Sequence, residues 1–176
     1  MDAVLNPLDA EALVHLDALY SLARWLTRDP AAAEDLVQDT FVKALRAQHQ
    51  FQRGTNLRAW LFQILRNTFL TLKKRERLAP EAREPEVLEG LAQAPKGGVG
   101  GAPGAGSADR TAGLDLDAAL KQLPEEYRSV VLLADLEDFT MDEIAGIMDC
   151  PVGTVKSRLF RARGMLRELL KDYRRA

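Results

Sequence analysis

Apolar positions recur along most of this chain at spacings of three and four, the period of a helix with one buried face. Over residues 9 to 27 they are Leu13, Leu16, Tyr20, Ala23 and Leu26. A second stripe, Ala33, Leu36, Val37, Thr40, Phe41, Ala44 and Leu45, follows Asp29-Pro30, a capping residue with proline in the first turn. A third runs from near Thr55-Asn56 to about Arg77 through Leu57, Trp60, Leu61, Ile64, Leu65, Thr68 and Leu72. These predict a three-helix N-terminal domain with a loop around Phe51 to Asn56. The pattern returns late in the chain. Leu114 to Leu123 reads as a short helix, and Pro124-Glu125-Glu126 opens another, with acids where the helix dipole favours them. Thr140 and Glu143 form a capping box for a short helix ending near Asp149. After the break at Asp149 to Gly153, a long final helix runs from Thr154.

Between the two patterned stretches, from Pro80 to Gly113, lie eight of the twelve glycines and four of the eight prolines. Such a segment buries too little apolar surface to offset its ordering entropy and predicts a flexible linker. At about 5–6 Å times the square root of its length, it lets two domains sit about 30 Å apart or more. The predicted fold is therefore all-α. Two small helical domains, 1–79 and 114–176, are joined by the linker 80–113, and no strand pattern competes.

Net charge is −2 over 176 residues, which gives no hint of nucleic acid. Its distribution does. Val152 to Ala176 carries eight basic residues against two acids, and Arg58 to Arg77 six against one. These stripes read either as two anionic contact surfaces or as ordinary solvated helix faces. Cys150 is the only cysteine, so no intrachain disulfide forms and a reducing compartment is expected. No apolar run approaches the ~18 residues of a membrane span, and Met1 to Leu8 lacks an export pattern, so a cytosolic protein is expected.

The short capped helix, tight turn and basic final helix follow the helix-turn-helix plan. At 100° per residue, Val155, Leu159, Ala162, Leu166, Leu169, Leu170 and Tyr173 fall within a stripe of about 100° and should pack inward. The far side carries Gly153, Ser157, Phe160, Arg161 and Gly164, flanked by Lys156, Arg163 and Arg167. A phenylalanine opposite the packing stripe has no folding role, which favours DNA recognition over a merely charged surface. Arg161 and Ser157 could reach base edges while Lys156 and the flanking arginines neutralise phosphates.

The third helix has a second face of Phe62, Arg66, Phe69 and Lys73. Rings beside cations suit unstacked single-stranded bases, but the same phenylalanines could equally fill a contact with another helix. On the second helix, Glu34, Asp35, Gln38, Asp39 and Lys43 are exposed, either to dock a basic helix or simply to face water.

Three stretches, AEDLVQDTFVKAL (33–45), RAWLFQILRNTFLTLKKR (58–75) and LPEEYRSVVLLADLEDFTMDEIAGIMDCPVGTVKSRLFRARGML (123–166), resemble the extracytoplasmic-function (ECF) sigma factors in order and spacing. The likeness covers essentially the whole chain except the linker, and TVKSRLFRAR is its most specific part. It implies a non-enzymatic transcription initiation factor, with no cofactor, metal or small-molecule substrate. Its partners would be core RNA polymerase (the β′ clamp helices and the β flap), promoter DNA and an anti-sigma factor, often membrane-tethered. By the resemblance, Asp35, Gln38 and Asp39 dock on the clamp helices. Phe51, Arg53, Asn56, Arg58, Phe62, Arg66 and Asn67 fall where the −10 element is recognised and a flipped base captured. Lys156, Ser157, Phe160, Arg161 and Arg163 fall on the helix that reads the −35 element. Lys156 stands where many relatives have arginine, so the bidentate fork is absent there. The long glycine-rich linker also departs from the shorter connections common in the family.

Two rivals remain. A helix-turn-helix repressor or activator would bind duplex operator without polymerase, usually as a dimer, and no dimerising helix is left over. An enzyme would need a constellation that is missing. His15 and His49 pair neither with each other nor with Cys150 at ligand spacing, and no phosphate-loop lysine follows the glycines. Cys150 itself reads as a small packed side chain.

Overall fold

The computed structural model of the chain describes residues 7–79 and 116–173, so the expected linker 80–113 lies outside the described residues. In chain order the elements are α1 (Pro7–Leu13), α2 (Leu16–Thr27), α3 (Pro30–Arg46), α4 (Leu57–Leu78), α5 (116–122), α6 (Glu125–Val131), α7 (Met141–Met148) and α8 (Val152–Tyr173). Single turns of 3-10 helix (Gln48–Gln50) and π helix (Leu132–Leu136) lie among them. The described residues contain no strand.

Local chemistry sets most helix starts. Asp29 accepts from the Ala32 N–H at 3.2 Å, with Pro30 in the first turn of α3. Asn56 accepts from the Ala59 N–H at 3.1 Å and starts α4. Thr140 and Glu143 close the capping box of α7. Each such cap contributes about 1 kcal/mol. Two boundaries differ from the periodic pattern. The single helix expected over 9–27 breaks at Val14-His15, where the His15 N–H turns back to the Ala12 carbonyl at 3.1 Å. The described residues 7–79 therefore hold four α-helices. Leu13 and Leu16 sit at this break and are exposed, and the buried positions are Ala12, Leu19, Leu22, Ala23 and Leu26. α8 begins at Val152 rather than Thr154, because Pro151 accepts from both Thr154 and Val155 and so nucleates the first turn.

One apolar cluster runs through both halves. Leu36 and Val37 of α3, which packs on α4, are buried in it with Leu61 and Leu65 of α4, while Val155, Leu159, Ala162 and Leu166 are the buried positions of α8. Leu45, expected in the α3 stripe, is exposed together with Val42. α4 is the shared element. It packs on α2 and α3 with one side and on α7 with another. The two described stretches are in direct contact, through α4 and α7.

Candidate nucleic-acid interface

The outer flank of α8 is open to solvent. Phe160 is 82% exposed, opposite a stripe in which Val155 and Ala162 are fully buried. Lys156, Ser157 and Arg161 are exposed beside it, and among the described residues neither Lys156 nor Arg161 has a hydrogen-bond or ion-pair partner. Ser157 donates only to the Thr154 carbonyl of its own helix, at 3.5 Å, and among the described residues nothing pairs with Lys156 or Arg161. Arg163 is different: its Nε and Nη2 grip Asp135 at 3.2 and 2.5 Å, and that hydrogen bond, ahead of the opposing effect of burial, raises its pKa. Arg158 pairs with Glu126 at 3.2 Å and so braces α8 on α6.

The second flank of α4 is covered. Phe62 has 0% exposure and meets Phe139 edge-on, with ring centroids 5.0 Å apart. Arg58 lies 4.3 Å from the centre of the Phe139 ring. Its Nη2 pairs with the Glu137 carboxylate at 2.5 Å, and its Nη1 donates to the Glu137 carbonyl at 2.8 Å. Asn56 hydrogen-bonds Glu143, so the caps of α4 and α7 are joined to each other. Arg66 is buried, with Nη1 3.4 Å from the Met148 carbonyl and Nε left without a partner. Of the two readings open for this flank, the packed one is found: the turn at 137–139 supplies the ring and the Glu137 acceptors, and α7 supplies the Met148 carbonyl. Phe69 is likewise buried, beneath Lys73.

The covering side chains are set by an unusual turn. At the end of α6 the Glu137 N–H bonds the Leu132 carbonyl five residues back, and the Phe139 N–H bonds that of Leu133. Such π turns are rare and cluster at functional sites. Asp138 then adopts a left-handed backbone (φ 54°), and the turn puts both Glu137 and Phe139 against α4. Sequence reasoning missed both residues. The only visible signal was an aromatic ring, Phe139, directly after the acidic run Asp135 to Asp138.

Around the same loop, Phe51 packs on Trp60 at 5.1 Å, whereas Arg53 and Asn67 are exposed. On α3, Asp35, Gln38 and Asp39 share an exposed flank with Val42. An acidic flank with apolar residues beside it can dock a basic amphipathic helix. Among the described residues, no group of His, Cys, Asp or Glu could hold a metal ion.

Two family matches bracket this geometry. The Sigma-70 region 2 family matches residues 13–78, and the Sigma-70 region 4 family matches 113–166. The chain is 34% identical over 163 residues to the ECF RNA polymerase sigma factor EcfG of Rhodopseudomonas palustris, covering 91% of this chain and 83% of that protein. The chain belongs to the ECF sigma factors. These are promoter-recognising initiation factors and not enzymes. It is also 36% identical over 160 residues to the ECF sigma factor SigE of Mycolicibacterium smegmatis, where it spans 60% of the relative's length. In structure it is similar to the sigma factor RpoE of Bartonella quintana, solved with the anti-sigma factor NepR, at TM-score 0.71 and 37% identity over 92% of this chain and 95% of that one. CnrH, solved with the cytosolic domain of CnrY, is similar at TM-score 0.65 and 25% identity. In this sigma factor the covered flank of α4 therefore lies within region 2, and the open flank of α8 within region 4.

Proposed function

We propose that this sigma factor binds core RNA polymerase and gives it promoter sequence reading from two surfaces. Residues 1–79 carry the polymerase dock and the −10 surface, 80–113 form the tether, and 114–176 carry the −35 surface. The observation that supports this most strongly is the α8 flank. A phenylalanine, a serine and two cations stand exposed beside a fully packed stripe, the combination that major-groove entry needs. Arg161 and Ser157 contact base edges, Phe160 makes apolar contact, and Lys156 takes a phosphate. Arg163 reaches DNA only by leaving Asp135.

Asp35, Gln38 and Asp39 form the polymerase dock, with Val42 and Leu45 adding apolar contact. The exposed residues Arg53 and Asn67 begin the −10 surface. Phe51, Asn56, Arg58, Phe62 and Arg66 complete it once α7 and the 137–139 turn withdraw. Capture of a flipped base on that surface offsets its unstacking cost of a few kcal/mol. An anti-sigma factor is a further partner, since relatives of the same fold were solved with one. Among the described residues no helix is long and apolar enough to cross a membrane.

Two variants test the assignments separately. Asp39→Arg is expected to abolish co-purification with core polymerase while leaving the circular dichroism spectrum unchanged; normal co-purification would remove the docking claim. Arg161→Ala is expected to weaken −35 discrimination, and an unchanged promoter profile would refute the recognition claim.

A further inference from the structure

A second seam between the halves, away from the Phe62–Phe139 contact, gathers more cations than anions. Arg24 and Arg28 come from the end of α2, Lys121 from α5 and Arg128 from α6. Arg24, Trp25, Arg28, Asp117 and Lys121 line a cavity of about 180 Å³. Arg28 already spans the seam, its Nη2 donating to the Lys121 carbonyl at 2.7 Å. Asp117 is engaged in an ion pair with Lys121.

Two guanidinium groups of the seam are left poorly served. Arg24 Nη1 is buried with no partner. Arg128 is only 6% exposed, and its Nε and Nη1 are both buried and unpartnered. Burial first, then the nearby charge of Arg28, lowers the Arg128 pKa, with Glu125 alone opposing them. Glu125 does not satisfy the set: its Oε1 is buried and accepts from none of these donors. Buried unpaired charge is strongly unfavourable, and native proteins rarely keep buried donors unmet. An anion in the cavity would accept from Arg24 and Arg28, which line it, and its charge would offset the repulsion between Arg28 and the buried Arg128.

We infer that this seam is an oxyanion site that takes a phosphate group, from inorganic phosphate or from the end of a nucleotide, held by Arg24 and Arg28 with Arg128 behind them. Guanidinium forks match the geometry of phosphate oxygens. The cavity holds such a group, while the buried nitrogens lie out of reach of a duplex. Arg24 and Arg28 belong to one half of the chain, and Lys121 and Arg128 to the other. A bound phosphate therefore bridges the halves and favours the arrangement in which the α4 flank is covered. That last consequence rests on the promoter reading above, whereas the site itself does not.

The test uses the full chain, without polymerase or DNA. Inorganic phosphate or ADP is titrated against chloride at matched ionic strength and followed by calorimetry and thermal melting. A saturable rise in Tm is expected, with apparent affinity weakened tenfold or more in Arg24→Ala and in Arg28→Ala. Arg128→Met should show the same loss, and the two more accessible variants carry the test if it does not fold. Tighter binding of ADP than of inorganic phosphate assigns a nucleotide source, and the reverse assigns the free ion. No stabilisation beyond that of chloride, or equal stabilisation in Arg24→Ala, overturns the proposal. A separate arm titrates duplex DNA: an effect of Arg24→Ala and Arg28→Ala confined to DNA affinity also overturns the proposal and makes these cations a nucleic-acid contact.

Discussion

The outer flank of α8 and the second flank of α4 carry similar chemistry, phenylalanine beside arginine and lysine, but their surroundings are opposite. On α8 Phe160 is almost wholly exposed and Arg161 is unpaired; on α4 Phe62 is fully buried and Arg58 is held by Glu137. A carboxylate next to an aromatic ring offers Arg58 and Phe62 an anion and a π face, the two chemistries a nucleotide would offer. A cationic, aromatic helix face thus records what kind of partner it takes, and leaves open whether that partner is nucleic acid or the protein's own chain.

The comparison can be broken most forcefully at its aromatic contact. Phe139→Ala removes the ring packed on Phe62 and should destabilise the protein by about 3–5 kcal/mol, read by urea denaturation. It should also raise the affinity of the free protein for single-stranded −10 oligonucleotide. Undiminished stability would mean that the cover over α4 contributes little. Glu137→Gln weakens the Arg58 pair while keeping its shape. The expected cost is about 1–3 kcal/mol, with a smaller gain in oligonucleotide binding by fluorescence anisotropy. On the open side, Arg161→Ala should leave stability within about 0.5 kcal/mol, since nothing in the fold uses the side chain. It should nevertheless reduce discrimination among −35 variants by about 1–3 kcal/mol, measured by competitive transcription.

The smallest expected effect is of pH. The Thr140 backbone N–H, helped by the Thr140 hydroxyl and Asn56 and opposed by burial, holds Glu143 below the usual carboxylate pKa. A depressed folded-state pKa contributes stability that is fully present above the ordinary carboxylate value. That stability is lost as pH falls through the lower, folded-state value. Acidification below about 4.5 should therefore loosen the joint between the caps of α4 and α7. In Glu143→Gln the acid limb of the Tm profile should flatten, and an identical profile would remove this group from the closure.

Most of what a helix does for itself was legible from residue type and spacing. Asp29, Asn56 and the Thr140–Glu143 pair announce their helix starts through side-chain acceptors placed for orphan N–H groups. The packed stripe of α8 and the isolation of Phe160 follow from a period of 3.6. What one helix does to another was not legible. Periodicity marks a second apolar flank on α4 without naming Phe139, 77 residues away in sequence, as its neighbour. The π turn that delivers Glu137 depends on bonds reaching five residues back, which no residue type signals. The break at Val14-His15 lay inside an uninterrupted apolar pattern, and the exposure of Val42 and Leu45 reads as an error of folding until a docking partner is considered.

All of these points converge on transcription. Core polymerase supplied with this protein and a library of promoter sequences, with transcript 5′ ends mapped, tests the central claim most directly. The account predicts transcripts from discrete starts, each downstream of a shared pair of sequence elements spaced for α8 and α4, and their loss when Arg161 is replaced by alanine. If the protein produces no defined start beyond those of core polymerase alone, the account is contradicted.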